Sequence, residues 1–192
     1  MFKQLLVITF LLFGYVGVSQ DFFQQISACA TELTQDSVEY DPSYFSIKYP
    51  NGDVPKGKGV CTDVVIRTYR KMGIDLQKEV HEDMKHNFNM YPKKWGLNRT
   101  DTNIDHRRVP NLMTFFKRQH AEKQITTNPE DYLPGYIVAW NLGGAITHIG
   151  VVIDQKSKDK KRNLIVHNIG QGQVAEDVLF AYKIIGHYRY KK

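Results

Sequence analysis

Pro134-Gly135 divides the sequence into two stretches of different hydrophobic period, and no other feature limits the available folds as much. After it come YIVAWNL, THIGVVI, NLIVHNI and KIIGHYRY, short β-branched or aromatic runs separated by Gly, Asn and charge. Such runs predict strands. Before it, apolar residues recur at helical spacing. Phe22, Ile26, Cys29 or Ala30, and Leu33 predict an amphipathic helix over 22–35. Val64, Val65, Thr68, Tyr69 and Met72 predict a second over 61–72, stopped by Gly73. Leu76, Val80, Met84 and Phe88 predict a third over 76–88, and Pro110 opens a short fourth through Phe115 and Phe116. Residues 41–59, rich in Pro, Gly and Asn, read as loop, as does the stretch holding YPKKWGL and NIDHRR. Helices first and an antiparallel sheet afterwards make an α+β pattern, with no domain boundary inside it.

The chain begins MFKQLLVITFLLFGYVGVSQ, with Lys3, an apolar run from Leu5 to about Val16, and then Gly17-Val18-Ser19. This reads as a secretory signal peptide over 1–19, leaving 20–192 as a single exported domain in the periplasm or outside the cell. No second apolar run of spanning length follows, so no stable membrane insertion is expected after cleavage. The net charge of +6 is dispersed, apart from KSKDKKRN at 156–163, which reads as a solvated turn. No nucleic-acid module is present. No Cys-x-x-Cys or His-x-x-x-His pair occurs, so no metal and no cofactor are expected. Two cysteines in an exported chain leave two readings: a Cys29–Cys61 disulfide, or two free thiols.

Cys61 follows the glycine-rich GKGV and opens the second helix. A thiol there sits at the positive end of the helix dipole and beside unpaired N–H groups, which favour thiolate and could hold an oxyanion. In THIGVV, His148 shares a strand face with Gly150 and Val152. If the charged stretch centres the following hairpin near 157 or 158, His167 or Asn168 of IVHNIG lies across from His148. Either residue could orient an imidazole, the task of a third triad member.

Together, GVCTDVVIRTYRKMGIDLQ, VHEDMKHNF, YPKKWGL, NIDHRRVPNL, THIGVV, VHNIG and GHYRY resemble the DUF1287 family of exported bacterial proteins, over about 40–190. That family looks related to the papain-like cell-wall peptidases and amidases, which include NlpC-type enzymes and CHAP amidases. The resemblance implies a papain-like (NlpC-type) fold with helices packed on a C-terminal antiparallel sheet. It also implies a cysteine hydrolase with Cys61 as nucleophile, His148 as general base and later acid, and His167 as orienter. Export and relatives point to an amide bond of peptidoglycan or a related peptide as substrate. The chain differs from NlpC-type enzymes in flanking Cys61 with Val60 and Thr62 where those usually have Asp and Ser.

Asp105, His106, Arg107 and Arg108 form a run of ionisable groups whose arginines could hold a substrate carboxylate. Asp63, near the start of the Cys61 helix, could pair with that loop, and Trp140 is a further candidate wall of the groove. Two rivals remain open. A transglutaminase-like enzyme is suggested by GVCTD, with Asp154 as its third residue. The other is an exported binding module that kept a peptidase fold.

Overall fold

The computed structural model describes residues 21–192, so the expected signal peptide lies outside the described residues. Two strand pieces, β1 (Glu39–Tyr40) and β2 (Lys58–Gly59), pair in parallel and tie the loop over 41–57 at its two ends. The five-stranded sheet consists of β3 (Ile137–Gly143), β4 (Ile146–Lys156), β5 (Asn163–His167), β6 (Val174–Glu176) and β7 (Lys183–Tyr188). Its order is β6-β5-β4-β3-β7, and every pairing is antiparallel.

Helices α1 (Phe22–Leu33), α2 (Cys61–Lys71), α3 (Leu76–His86) and α4 (Val109–Arg118) supply the other half of the α+β fold. The third stops two residues before the expected Phe88, which begins a separate 3-10 turn. Helix α1 buries Phe23, Ile26, Ser27, Ala30 and Leu33, leaving Cys29 half-buried beside that stripe. Helix α2 is buried almost all round: Val64, Val65, Ile66 and Tyr69 all lie inside. Burying each such side chain is worth about 1.5–3 kcal/mol, so packing rather than propensity holds this β-branched helix. It ends at Lys71 with Met72 as its cap, and Gly73, at φ 75, turns its N–H back to the Arg70 carbonyl.

The sheet is buried on both faces. Ile137, Ala139, Ile149, Val151, Ile153 and Val166 pack with the helices and with Cys61. Val138, Trp140, Val152 and Ile165 pack with Phe23, Tyr132, Tyr136 and Leu179 on the other side. Strand β4 lies in the middle of the sheet, which is why IGVVI reads as a continuous apolar run.

The hairpin register differs from the expectation. Strands β4 and β5 pair Lys156 with Asn163, shift register, and then pair Val152 with Ile165 and Val151 with Val166. Continuing that ladder sets His167 across from Gly150, not across from His148. The expected register took the charged stretch as a symmetric turn, which does not allow for an irregularity inside the pairing.

Candidate active site

Cys61 is the first residue of α2 and is 7 % exposed. Its turn is held from both sides. The Asp63 carboxylate accepts the Val60 N–H at 2.8 Å, and the Asn168 amide donates to the Gly59 carbonyl at 3.2 Å. Both cysteines are free, so the disulfide reading falls away. The sulfur lies beside the backbone N–H of Ile149, the residue after His148, and beside the N–H groups of Thr62 and Cys61 itself. These contacts favour thiolate, yet burial outweighs them and, with the Asp63 charge, pushes the thiol up to about 12. The expectation of a lowered thiol pKa is therefore corrected. One helix terminus cannot replace the hydration lost by a buried sulfur.

On β4 and β5 the two imidazoles meet. His148 Nε2 and His167 Nδ1 are 2.9 Å apart, with the rings nearly perpendicular. The contact is diagonal, and Gly150 makes it feasible. A Cβ at Gly150 would stand 3.1 Å from the His167 Cβ, 2.9 Å from the Val166 carbonyl and 2.6 Å from Ile165 Cγ2. Asn168, the other candidate third member, is occupied with Gly59. A further residue appears that sequence reasoning missed: His167 Nε2 lies 2.9 Å from the Glu176 carboxylate on β6. Burial drives His148 down to about 3, helped by the nearby His167, and holds His167 below its ordinary value against the pull of Glu176. Both rings are thus neutral at pH 7.

The remaining candidates divide sharply. Arg107 and Asp63 form a two-pronged ion pair at 2.9 and 3.0 Å, both side chains nearly enclosed. Arg107 also donates to the Ser43 carbonyl, and Thr62 donates to the Arg107 carbonyl. Asp105 is enclosed, accepting from the Asp101 N–H and lying 2.9 Å from His81 Nδ1. His106 is buried and pushed down to about 3 by burial and by nearby arginines. Trp140 is fully buried; its indole N–H donates to the Leu179 carbonyl, and its ring lies 5.8 Å from that of His148. Arg108 alone of the run faces a groove without an ionic partner. Its guanidinium sits 4.2 Å over the Trp95 ring, and Nη1 is enclosed with no hydrogen bond.

That groove, about 490 Å³, is lined by Cys61, Thr62, Tyr40, Tyr44, Trp95, Arg108 and Thr147 among others. Tyr40 is close enough to the thiol that the sulfur's charge helps to raise the tyrosine pKa, after burial. No periodic signal marked Tyr40, which lies in a two-residue strand. A larger cleft, about 760 Å³, borders α2 elsewhere, but Arg67 and Arg70 there are bound to Asp53 and neither a cysteine nor a histidine lines it. Asp154, the transglutaminase candidate, is exposed, and its backbone N–H bonds Ser27. No cluster of metal-ligating residues occurs among the described residues, and none of their helices is long and apolar enough to cross a membrane.

The fold and site thus define an α+β protein with a groove-lining thiol at a helix start, set against the backbone of a strand that carries one of two bonded histidines. The chain belongs to the DUF1287 family, the domain of unknown function whose pattern it matches over residues 27–190. It is 54 % identical over 151 residues to YijF, an uncharacterised protein of Escherichia coli (strain K12). That match covers 79 % of this chain and 73 % of YijF. Among solved structures it is similar to NlpC2 from Trichomonas vaginalis, with a TM-score of 0.46 and 14 % identity over 91 % of this chain. The chain spans about half the length of that structure, 49 %.

Proposed function

We propose that this protein is an exported cysteine hydrolase that cleaves amide bonds of peptidoglycan or a related peptide. The observation that carries this reading is the placement of the Cys61 thiol against the backbone next to His148, whose imidazole is bonded through Nε2 to His167. With Nε2 engaged, Nδ1 of His148 is the nitrogen that remains to exchange a proton. In the first half-reaction the Cys61 proton passes to His148 Nδ1 while Sγ bonds to the amide carbonyl carbon. The N–H groups at the start of α2 are suitably sited to stabilise the oxyanion. The C–N bond then breaks, and His148 gives its proton to the leaving amine. In the second half, water loses a proton to His148 as its oxygen attacks the thioester carbon; the C–S bond then breaks and His148 returns the proton to Sγ, restoring neutral thiol and neutral imidazole. The resting pair is neutral thiol and neutral imidazole, so proton transfer accompanies attack rather than preceding it. Arg108, over Trp95 in the same groove, is the side chain suited to a carboxylate on the substrate.

Peptidoglycan digestion followed by mass spectrometry of released peptides tests this. The protein should release peptides with new amino termini, and Cys61→Ala and His148→Ala should each release none. Release by Cys61→Ala, or none by the unaltered protein, would overturn the reading. One observation favours a second reading, a binding module on the same fold: the enclosed, strongly protonated thiol. In that case both variants would bind peptidoglycan as the unaltered protein does, and nothing would be released.

A further inference from the structure

The hydrogen-bond chain does not stop at His167. It crosses three strands, from His148 on β4 through His167 on β5 to Glu176 on β6. In the ladder between β5 and β6, Glu176 pairs with Ile165 and Val174 with His167, so Glu176 reaches His167 by the same diagonal step that His167 makes to His148. Each imidazole nitrogen in such a chain has a forced role. A carboxylate only accepts, so His167 must carry its proton on Nε2. Its Nδ1 is then an acceptor, and His148 must supply the proton on Nε2. That leaves His148 Nδ1 with a free lone pair.

We propose that Glu176 is a positioning residue that sets the tautomers of both histidines and so keeps His148 in the form able to accept a proton on Nδ1. Without it, the pair can adopt the reverse arrangement, in which His167 donates from Nδ1 and the His148 proton moves to Nδ1. That tautomer cannot take up a thiol proton. Burial keeps both rings neutral at pH 7, so tautomer rather than charge is what Glu176 controls. The Glu176 side chain is 41 % exposed while that of His167 is 1 % exposed, so the chain runs from the surface to a buried imidazole. The tautomer argument stands on the geometry alone; only its catalytic consequence rests on the hydrolase reading.

Imidazole nitrogen spectra of 15N-histidine-labelled protein at pH 7 test the proposal, since protonated and bare ring nitrogens resonate far apart. The unaltered protein should show Nε2 protonated and Nδ1 bare in both His148 and His167. Glu176→Ala and Glu176→Gln should both shift the pair toward the Nδ1-protonated form, with at least about a tenfold loss of preference given the strength of a charge-assisted hydrogen bond. Glu176→Gln keeps the size of the side chain, so a shift there is not a packing effect. A protonated His148 Nδ1 in the unaltered protein would overturn the proposal even if neither variant folds. So would wild-type tautomers in both variants with unchanged amide spectra. If the hydrolase reading fails, no peptide release is seen, yet these spectra still decide the role of Glu176. If both hold, Glu176→Gln lowers kcat about tenfold and leaves KM in place.

Discussion

Two polar assemblies, one in the loop packed on the start of α2 and one across β4, β5 and β6, are built on opposite plans. On the loop side, Asp63 and Arg107 saturate each other, and the remaining donors of Arg107 and Thr62 go to backbone carbonyls. On the strand side, the chain from Glu176 through His167 to His148 leaves one end, His148 Nδ1, without a protein hydrogen bond. The contrast separates scaffold from chemistry better than residue type does. A closed pair is spent on holding the turn that carries Cys61. An open-ended chain retains a group that can act. Burial alone would not have told them apart, because His148 and His167 are buried as Asp63 and Arg107 are.

The largest effect should come from opening the closed assembly. Asp63→Ala leaves the Arg107 guanidinium enclosed and unpaired, and removes the acceptor for the Val60 N–H. Breaking a buried pair in this way is expected to cost about 3–5 kcal/mol, read as a fall in the urea midpoint. Arg107→Ala should cost a similar amount. The double variant should cost less than the sum of the two, because each single change leaves the other charge stranded. Additive losses would show that the two side chains are not coupled and that the comparison is wrong.

Buried histidines on both sides should reveal themselves through acid. His148 and His106 both fall to about 3 in the folded chain, chiefly through burial, against an ordinary value near 6.5. The unfolded chain therefore binds more protons between those limits, so stability falls as pH drops from about 6.5 toward about 3. Each such histidine contributes up to about 1.4 kcal/mol per pH unit in that window. Thermal midpoints should decline from pH 7 to pH 5, where surface carboxylates alone predict little change. His106→Gln should flatten that decline. An unchanged slope in the variant would mean that His106 is not held neutral.

Much of this arrangement was legible in the residues and some was not. The helix start at Cys61 could be read because a glycine-rich turn meets a 3.6-residue pattern, and Pro134-Gly135 marks the change to strands. The partnership of His148 with a residue of VHNIG could also be read, since it needs only a hairpin. The register could not, because the shift between Val152 and Lys156 has no mark in the residue types. Glu176 was hidden for a related reason: β6 has three residues, too few for alternation to show. Arg107 and Arg108 look equivalent in the sequence. Only the loop's path decides that one turns inward to Asp63 and the other outward over Trp95.

That last pair yields the smallest effect on stability and the finest test of the comparison. Arg108 lies in the groove with Cys61, has no ionic partner, and its pKa is lowered by burial against the opposing fields of Asp105 and Asp101. Losing its cation–π contact with Trp95 should cost less than about 1 kcal/mol, so Arg108→Ala should melt close to the unaltered protein. Its effect should appear in binding. If Arg108 holds a substrate carboxylate, its removal should raise KM about tenfold or more while kcat changes little, as expected for loss of a charge-assisted contact made equally in ground and transition states. Arg108→Lys should restore only part of that, since an ammonium can neither lie flat on the indole nor present two parallel donors. An Arg108→Ala variant as unstable as Arg107→Ala would place both arginines in the scaffold. A variant with unchanged KM toward acidic peptides would leave Arg108 no role as a substrate contact.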